Sequence, residues 1–528
     1  MRERGKATLR RVCLVTGALA AAAILSTVSL LDFYVRNAHQ LEGPARVIRY
    51  AENTLWIVGF GVALLKARSS KLPMWRAILA VGLGAFTFYC YDEFKALQNV
   101  LDLPTAEWLP FFWVLLSLTV VLIGLVVLRR PGAVSAILVL SLAFAALPLT
   151  RVVALIAAEN AIRPASVDQP AAANRSRISP NIYWIVLDGY PRRDVLWQSF
   201  GFDNGRFLDS LKSLGFAILE RSLSNFPATI NSVSSTLNMD YAIRRDGDDV
   251  RPFPMRDMYP IVKGNSRTVA RLKAAGYNYV HFENGYDYLT KCAEEEQRCI
   301  HGRKGLDEQD IAILSNTPII DLMGEIEVSE SETDVASAFA IGGVEDLTAK
   351  LRVIQEVPAP FFLYAHVIAP HPPIRFRADC STRPAEPDLK TWSASAKADF
   401  IEQLRCVNTQ AEALVRRIAF SDPSAIIILQ SDHGSAFNGQ FTKKGTGWSD
   451  ADLRERFGVL NAIRLPALCN NGLAPDLTLV DTFPLVLSCL TGEEFKRHAP
   501  RFFVTPYDNS PDFGQAIEYA FDRLQKRS

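Results

Sequence analysis

The chain has 528 residues, 49% of them hydrophobic, and a formal net charge of +1. The length exceeds one average domain, the near-zero charge argues against a nucleic-acid partner, and the apolar share is high for a soluble enzyme. The apolar excess lies in the first third of the chain, which points to membrane segments.

Met1–Arg11 carries five basic residues, and Val12–Leu31 follows as an uncharged apolar run long enough to span a bilayer. It is long for a signal-peptide core and further spans follow, so it reads as an uncleaved anchor. The next spans are expected at Thr54–Leu65, Ala77–Tyr91, Leu109–Leu128 and Val134–Leu149, the first of these being the weakest. Basic residues collect at the N-terminus, at 66–76 and at Arg129-Arg130, which are alternate loops. That pattern predicts about five transmembrane helices with the N-terminus inside. The remainder then lies in the periplasm, anchored to the inner membrane of a bacterium with two membranes. The expected division is a transmembrane domain at 1–158, a linker at 159–179 and an extracytoplasmic catalytic domain at 180–528. The spans hold almost no charge to mark a pathway, which excludes a transporter.

Six of the eight cysteines fall after residue 290, and no CxxC pair occurs. A zinc ribbon or thioredoxin motif is therefore not expected. An even number in an exported domain is compatible with disulfides. Cys292 and Cys299 are the best local pair, with unpaired thiols as the alternative.

From Pro180 apolar strand-like runs alternate with helix-like stretches. Strands are expected at Ile182–Leu187, Phe216–Leu219, Tyr277–Phe282, Phe361–Val367 and Ala425–Leu429. Helices are expected at Phe207–Leu214, Thr268–Ala275, Val344–Ile354 and Asp399–Ile418. The alternation predicts an α/β fold with a doubly wound, mostly parallel sheet.

Three of these strands end in side chains suited to a divalent metal. Ala425–Leu429 runs into Ser431-Asp432-His433-Gly434, Ile182–Leu187 into Asp188-Gly189, and Phe361–Val367 carries His366 and then His371. Sites in open α/β sheets form beyond the carboxyl ends of strands, so one shared site is expected. Asp188 alone reads as a turn residue, and Thr229 alone as a helix cap after Phe226-Pro227-Ala228. Beside a metal, a hydroxyl at a helix start is a nucleophile instead, because the helix dipole and the cation both favour its alkoxide. Two of seven histidines fall within six residues beside Pro370, Pro372 and Pro373. Such a stiff loop can aim His371 at an anionic group, with His366 as a support or a ligand.

The stretches NIYWIVLDGYPR (181–192), SNFPATINSVSSTLNMDY (224–241), YAHVIAPHPP (364–373) and QSDHG (430–434) resemble the sulfatase-like branch of the alkaline phosphatase superfamily over roughly 180–500. With N-terminal spans before them, they also look like lipoteichoic acid synthases and phosphoethanolamine transferases. The resemblance implies metal ligands Asp188, Thr229, Asp432 and His433, with Thr229 the nucleophile that is transiently phosphorylated. The formylglycine motif C/S-x-P-x-R of true sulfatases is missing near 226–235, which weighs against sulfate-ester hydrolysis by that route. Phosphoethanolamine transferases carry a further histidine after Asp-His-Gly; residues 435–450 have none. Lys443 and Lys444 stand there, suited either to binding phosphate or to a solvated loop. One metal ion, manganese or zinc, is therefore expected.

The function implied is a membrane-anchored phosphotransferase that moves a phospho-headgroup through Thr229 to an envelope lipid or glycan. The alternative on the same scaffold is a phosphoesterase or sulfatase-like hydrolase. A non-catalytic assembly protein is disfavoured by retention of all four expected ligands.

Overall fold

The computed structural model describes residues 2–38, 44–101, 108–161, 177–247, 249–284, 292, 298–302, 306, 308–325, 343–383, 392–469, 473–505 and 515–525. The chain forms two compact units, Met1–Arg163 with Gln309–Ser331, and Pro164–Glu308 with Glu332–Ser528. Most of the linker expected at 159–179 lies outside the described residues.

The first unit is helical: α1 (Arg2–Asn37), α2 (Ala45–Arg68), α3 (Met74–Tyr89), α4 (Tyr91–Val100), α5 (Leu109–Val127) and α6 (Gly132–Ala161). By length and composition three segments among the described residues can cross a membrane, Thr8–Asn37, Leu109–Val127 and Gly132–Leu155. A fourth forms if α3 and α4, bent by 43° at Cys90, count as one span. The weak second span is a full helix, α2, but Arg46, Arg49 and Glu52 in its first turns keep it out of that set. Close approach of the helices rests on small residues. A Cβ on Gly82 would stand 2.7 Å from that of Ala22, and one on Gly84 2.4 Å from a Val121 methyl. Large apolar side chains such as Leu118, Leu122 and Val139 face outward, as a bilayer requires and water does not. Two short helices from later in the chain, Glu308–Leu314 and Ile319–Glu325, complete this unit. Asp310 pairs with Arg46 and Tyr50, Asp321 with Tyr91 and Lys95, and Ile313 is buried with Leu30, Phe33 and Val47.

The second unit is built on a seven-stranded sheet. Its strands are β1 (Ile182–Leu187) and β2 (Ala217–Ile218), then, after the hairpin β3 (Ile243–Asp246) and β4 (Asp249–Pro252), β5 (Asn278–Glu283), β6 (Arg298–His301), β7 (Phe361–Val367), β8 (Ile426–Gln430) and β9 (Asn461–Arg464). A second hairpin, β10 (Phe502–Val504) with β11 (Ile517–Tyr519), stands apart. The sheet order is β2-β9-β8-β1-β7-β5-β6. The block β8-β1-β7-β5-β6 is parallel, and β9 and β2 pair antiparallel at one edge.

Successive residues of a strand face opposite sides, and β1 shows how this builds two cores. Ile182, Trp184 and Val186 pack with Ile230, Val233 and Leu237 of the helix Thr229–Asn238 on one face. Tyr183, Ile185 and Leu187 pack with the helices Gly205–Ser213, Val344–Gln355 and Lys397–Ser421 on the other. The sheet is thus doubly wound, with β1 at its centre and helices covering both faces.

Disulfides join Cys292–Cys299, Cys380–Cys406 and Cys469–Cys489. The last two pairs span 26 and 20 residues, separations that spacing alone does not reveal.

Candidate functional site

The three central strands finish together. Val186 is in register with His366 of β7 and with Gln430 of β8, so Asp188 and Asp432 emerge just beyond the same sheet edge. Asp188, His366 and Asp432 are all buried, and one ligand atom from each lies within 4.8 Å of the others. Among the described residues Asp188 Oδ1, Asp432 Oδ2 and His366 Nε2 have no hydrogen-bond partner. Buried oxygen and nitrogen atoms without partners are costly. Two carboxylates and an imidazole facing inward make the set a fit for one divalent cation. His366, left open between support and ligand, is thus part of the cluster, with Nε2 3.4 Å from Asp188 Oδ2. Burial opposes charge on this ring, but Asp188 and then Asp432 outweigh it and raise its pKa.

His433 enters from the loop after β8. Its Nε2 is 3.4 Å from both Asp188 Oδ1 and Asp432 Oδ2. Its Nδ1 lies 3.0 Å from the Gly434 carbonyl, which can only accept, so the proton sits on Nδ1 and the lone pair on Nε2. Burial, and then the nearby Arg456 cation, hold its pKa well below the ordinary histidine value. The ring is therefore neutral, the form that ligates metals.

Thr229 is the first residue of its helix, after the extended Ala228. Its Oγ1 is 3.0 Å from His433 Nε2, which accepts the hydroxyl proton in this tautomer. Ser232, one turn further, donates to the Asp432 carbonyl at 2.7 Å and ties the helix to the strand end. His433 Nε2 thus stands between Thr229 on one side and Asp188 and Asp432 on the other.

His371 sits on the proline-stiffened loop, where its backbone N–H donates to the Asp188 and Ile368 carbonyls. Its ring is 6.0 Å from the His433 ring and 4.9 Å, edge-on, from Trp392. Nδ1 donates to the Pro372 carbonyl at 2.6 Å, so Nε2 is a base in the neutral ring and a donor in the charged one. The lysines stand elsewhere. Lys443 is paired with Asp452 at 2.8 Å, and Asp452 also closes a capping box with Ser449. Lys444 is exposed. Among the described residues no contact joins either lysine to the cluster.

Sequence reasoning missed the clamp that shapes the Asp-His-Gly loop. It comes from Glu455 and Arg456, at the end of the helix Asp450–Phe457. The buried Glu455 carboxylate accepts from Ser435 Oγ, the backbone N–H groups of Phe437 and Asn438, and Gln440. Arg456, 2% exposed, donates to the Pro227 carbonyl at 2.7 Å and to the Gly434 carbonyl at 2.6 Å, while Gly434 N–H donates back to the Arg456 carbonyl. One guanidinium therefore bridges the turn that carries Thr229 and the loop that carries His433. A charged residue in an ordinary helical stretch gives no sign of this in sequence; only the contacts reveal it.

The Sulfatase family profile matches residues 180–457. No curated protein matches. The C-terminal periplasmic domain of EcEptC from Escherichia coli is similar in fold at 12% identity, covering 68% of this chain and 98% of that one, with a TM-score of 0.44. Lipooligosaccharide phosphoethanolamine transferase A from Neisseria meningitidis is similar at 12% identity over 90% of this chain and 95% of that one, TM-score 0.40. The phosphonate monoester hydrolase of Agrobacterium radiobacter is similar at 14% identity over 62% and 80%, TM-score 0.38.

Proposed function

Since the chain belongs to the sulfatase family, by a match over more than half its length, we propose that it is a membrane-anchored phosphotransferase. It moves a phospho-headgroup from a lipid donor to an envelope lipid or glycan through Thr229. The observation that carries this reading is the Thr229 hydroxyl, 3.0 Å from a neutral, buried His433 whose Nε2 lies 3.4 Å from Asp188 Oδ1 and Asp432 Oδ2, two buried oxygens without a hydrogen-bond partner among the described residues. In this reading Asp188, Asp432, His433 and Thr229 hold one divalent ion, manganese or zinc, with His366 alongside. Such an ion supplies a Lewis acid for the phosphoryl oxygens and favours ionised Thr229.

The chain's own groups account for the rest. His433 Nε2 has one lone pair, which accepts from the Thr229 hydroxyl at 3.0 Å and would go to the ion in its place once that hydroxyl ionises. Thr229 Oγ1 forms a bond to phosphorus, and the bond from phosphorus to the lipid alcohol breaks, leaving a phosphothreonine diester. The acceptor oxygen then attacks the same phosphorus and Thr229 departs. His371 Nε2 serves either as base toward the acceptor hydroxyl or, when charged, as donor to a non-bridging oxygen. The helix N-terminus at Thr229 favours the negative charge that builds there.

A membrane anchor supports a lipid donor: among the described residues three helices, or four if the bent pair is one span, are long and apolar enough to cross a membrane. Three disulfides in the second unit fit an oxidising compartment, which supports a periplasmic site on a bacterial inner membrane. The fifth crossing, by α2, belongs to the same proposal because the alternation of basic loops needs it. The domain division 1–158, 159–179 and 180–528 also remains part of this proposal.

The test is product analysis of the purified full chain in lipid vesicles, with and without an acceptor alcohol, beside metal content by elemental mass spectrometry. Transfer to the acceptor with one bound ion supports the proposal. Release of free headgroup at the same rate with or without acceptor assigns the chain to the hydrolases instead.

A further inference from the structure

The first unit contains a cavity of about 380 Å³ between the end of α2, the loop 69–73, the start of α3 and Leu125 of α5. Its charged lining residues are all basic, Arg68, Lys71 and Arg76, and Ser69 adds a hydroxyl. Its other walls include Leu65, Leu72 and Leu125. Among the described residues no carboxylate pairs with any of the three cations. Arg76 Nε is buried without a hydrogen-bond partner. The fourth basic residue of this stretch is used differently. Lys66 donates to the Ser70 carbonyl at 2.8 Å and to the Leu72 carbonyl at 2.5 Å, which fixes the loop and occupies two oxygens that would compete for the cations.

We propose that this cavity binds the headgroup of an anionic phospholipid. Three unpaired cations converge on a space large enough for a phosphate and its glycerol. Arginine guanidinium groups match phosphate oxygens with paired N–H donors, and the buried Arg76 Nε gains a partner on binding. The leucines offer the acyl chains an apolar wall, the combination found in basic pockets between transmembrane helices. Basic residues on this loop also serve orientation, but orientation needs only their charge near the membrane and is served equally by Arg129 and Arg130. It calls for neither a cavity nor a buried nitrogen without a partner.

The test is native mass spectrometry of the detergent-solubilised full chain titrated with phosphatidylglycerol or phosphatidylcholine, with melting temperature read in parallel. One phosphatidylglycerol is retained and phosphatidylcholine is not. The double variant Arg68→Gln, Arg76→Gln loses phosphatidylglycerol affinity by about tenfold or more, and Arg129→Gln, Arg130→Gln keeps it. Equal loss in both double variants reduces the cavity to general surface charge and overturns the proposal. Displacement of the lipid by 10 mM inorganic phosphate assigns the cavity to free phosphate and overturns it as well. A variant that melts at the wild-type temperature without lipid, yet no longer shifts with phosphatidylglycerol, separates lost binding from misfolding.

Discussion

Gly434→Ala tests the loop clamp with a single methyl group. A Cβ at this position would lie 2.0 Å from the Glu455 carbonyl oxygen and 3.0 Å from that of Gly458. Both are backbone atoms at a helix end, so neither can rotate away. Relief requires a displacement of at least about 1 Å between the Asp432-His433-Gly434 loop and the helix 450–457, and overpacking of this kind costs about 1–3 kcal/mol. The loop carries the shift into His433, whose Nε2 stands 3.0 Å from Thr229 Oγ1. A displacement of about 1 Å in a catalytic constellation costs about 100-fold in rate. Hydrolysis of a chromogenic phosphodiester by the purified full chain, with metal affinity by calorimetry, reads both effects. Gly447→Ala is the control, because a Cβ there meets nothing within 4 Å. If Gly434→Ala keeps kcat/KM and metal affinity within about threefold of wild type, the helix end does not position the Asp-His pair, and the geometric argument fails.

Arg456→Met leaves the Pro227 and Gly434 carbonyls without their buried donor, so unfolding of the second unit should come easier by about 2–4 kcal/mol; denaturant titration checks this, and an unchanged midpoint refutes the bridge. Arg456→Lys keeps the charge but cannot span both carbonyls, so it should recover stability only in part. His498 hydrogen-bonds buried Asp481 at 2.7 Å, which raises its pKa above the ordinary value despite burial. Its folded pKa is therefore above its unfolded one. The stabilisation is complete at pH below the unfolded pKa and is lost as pH rises through the folded pKa. His498→Gln should flatten that part of the stability profile; a wild-type profile unaltered by the substitution contradicts the coupling. Treatment with a strong chelator should abolish transfer and lower the melting temperature of the second unit, since an ion bound only by the folded state stabilises it. Thermal melts with and without added manganese or zinc decide this.

The strands were legible because burial on both faces leaves uninterrupted apolar runs: β1 and β7 begin and end where those runs do. The clustering of Asp188, Asp432 and His433 at the strand ends was legible for the same reason, since they interrupt such runs. The edge of the sheet was not. β9 reads Asn461-Ala-Ile-Arg464 and pairs antiparallel, a choice set by its neighbour β8 and by no local pattern. Lys443 stayed open between a phosphate ligand and a solvated loop residue because charge is visible in sequence while its partner Asp452, nine residues on, is recognisable only once the capping box folds. The bridge made by Arg456 depends on contacts 22 and 229 residues away. The placement of 309–325 with the helical unit rests on Asp310 and Asp321, two ordinary acids whose partners lie more than 200 residues earlier.

The proposed transfer depends on Thr229 Oγ1 as the atom that carries the phosphoryl group. Full-length protein supplied with manganese or zinc is incubated with phospholipid vesicles, acid-quenched and analysed by intact mass and peptide mapping. The account predicts a phospho-headgroup adduct on the peptide that contains Thr229, and none in Thr229→Ala. An adduct of equal yield in Thr229→Ala, or one mapped to another residue of the wild-type chain, contradicts it.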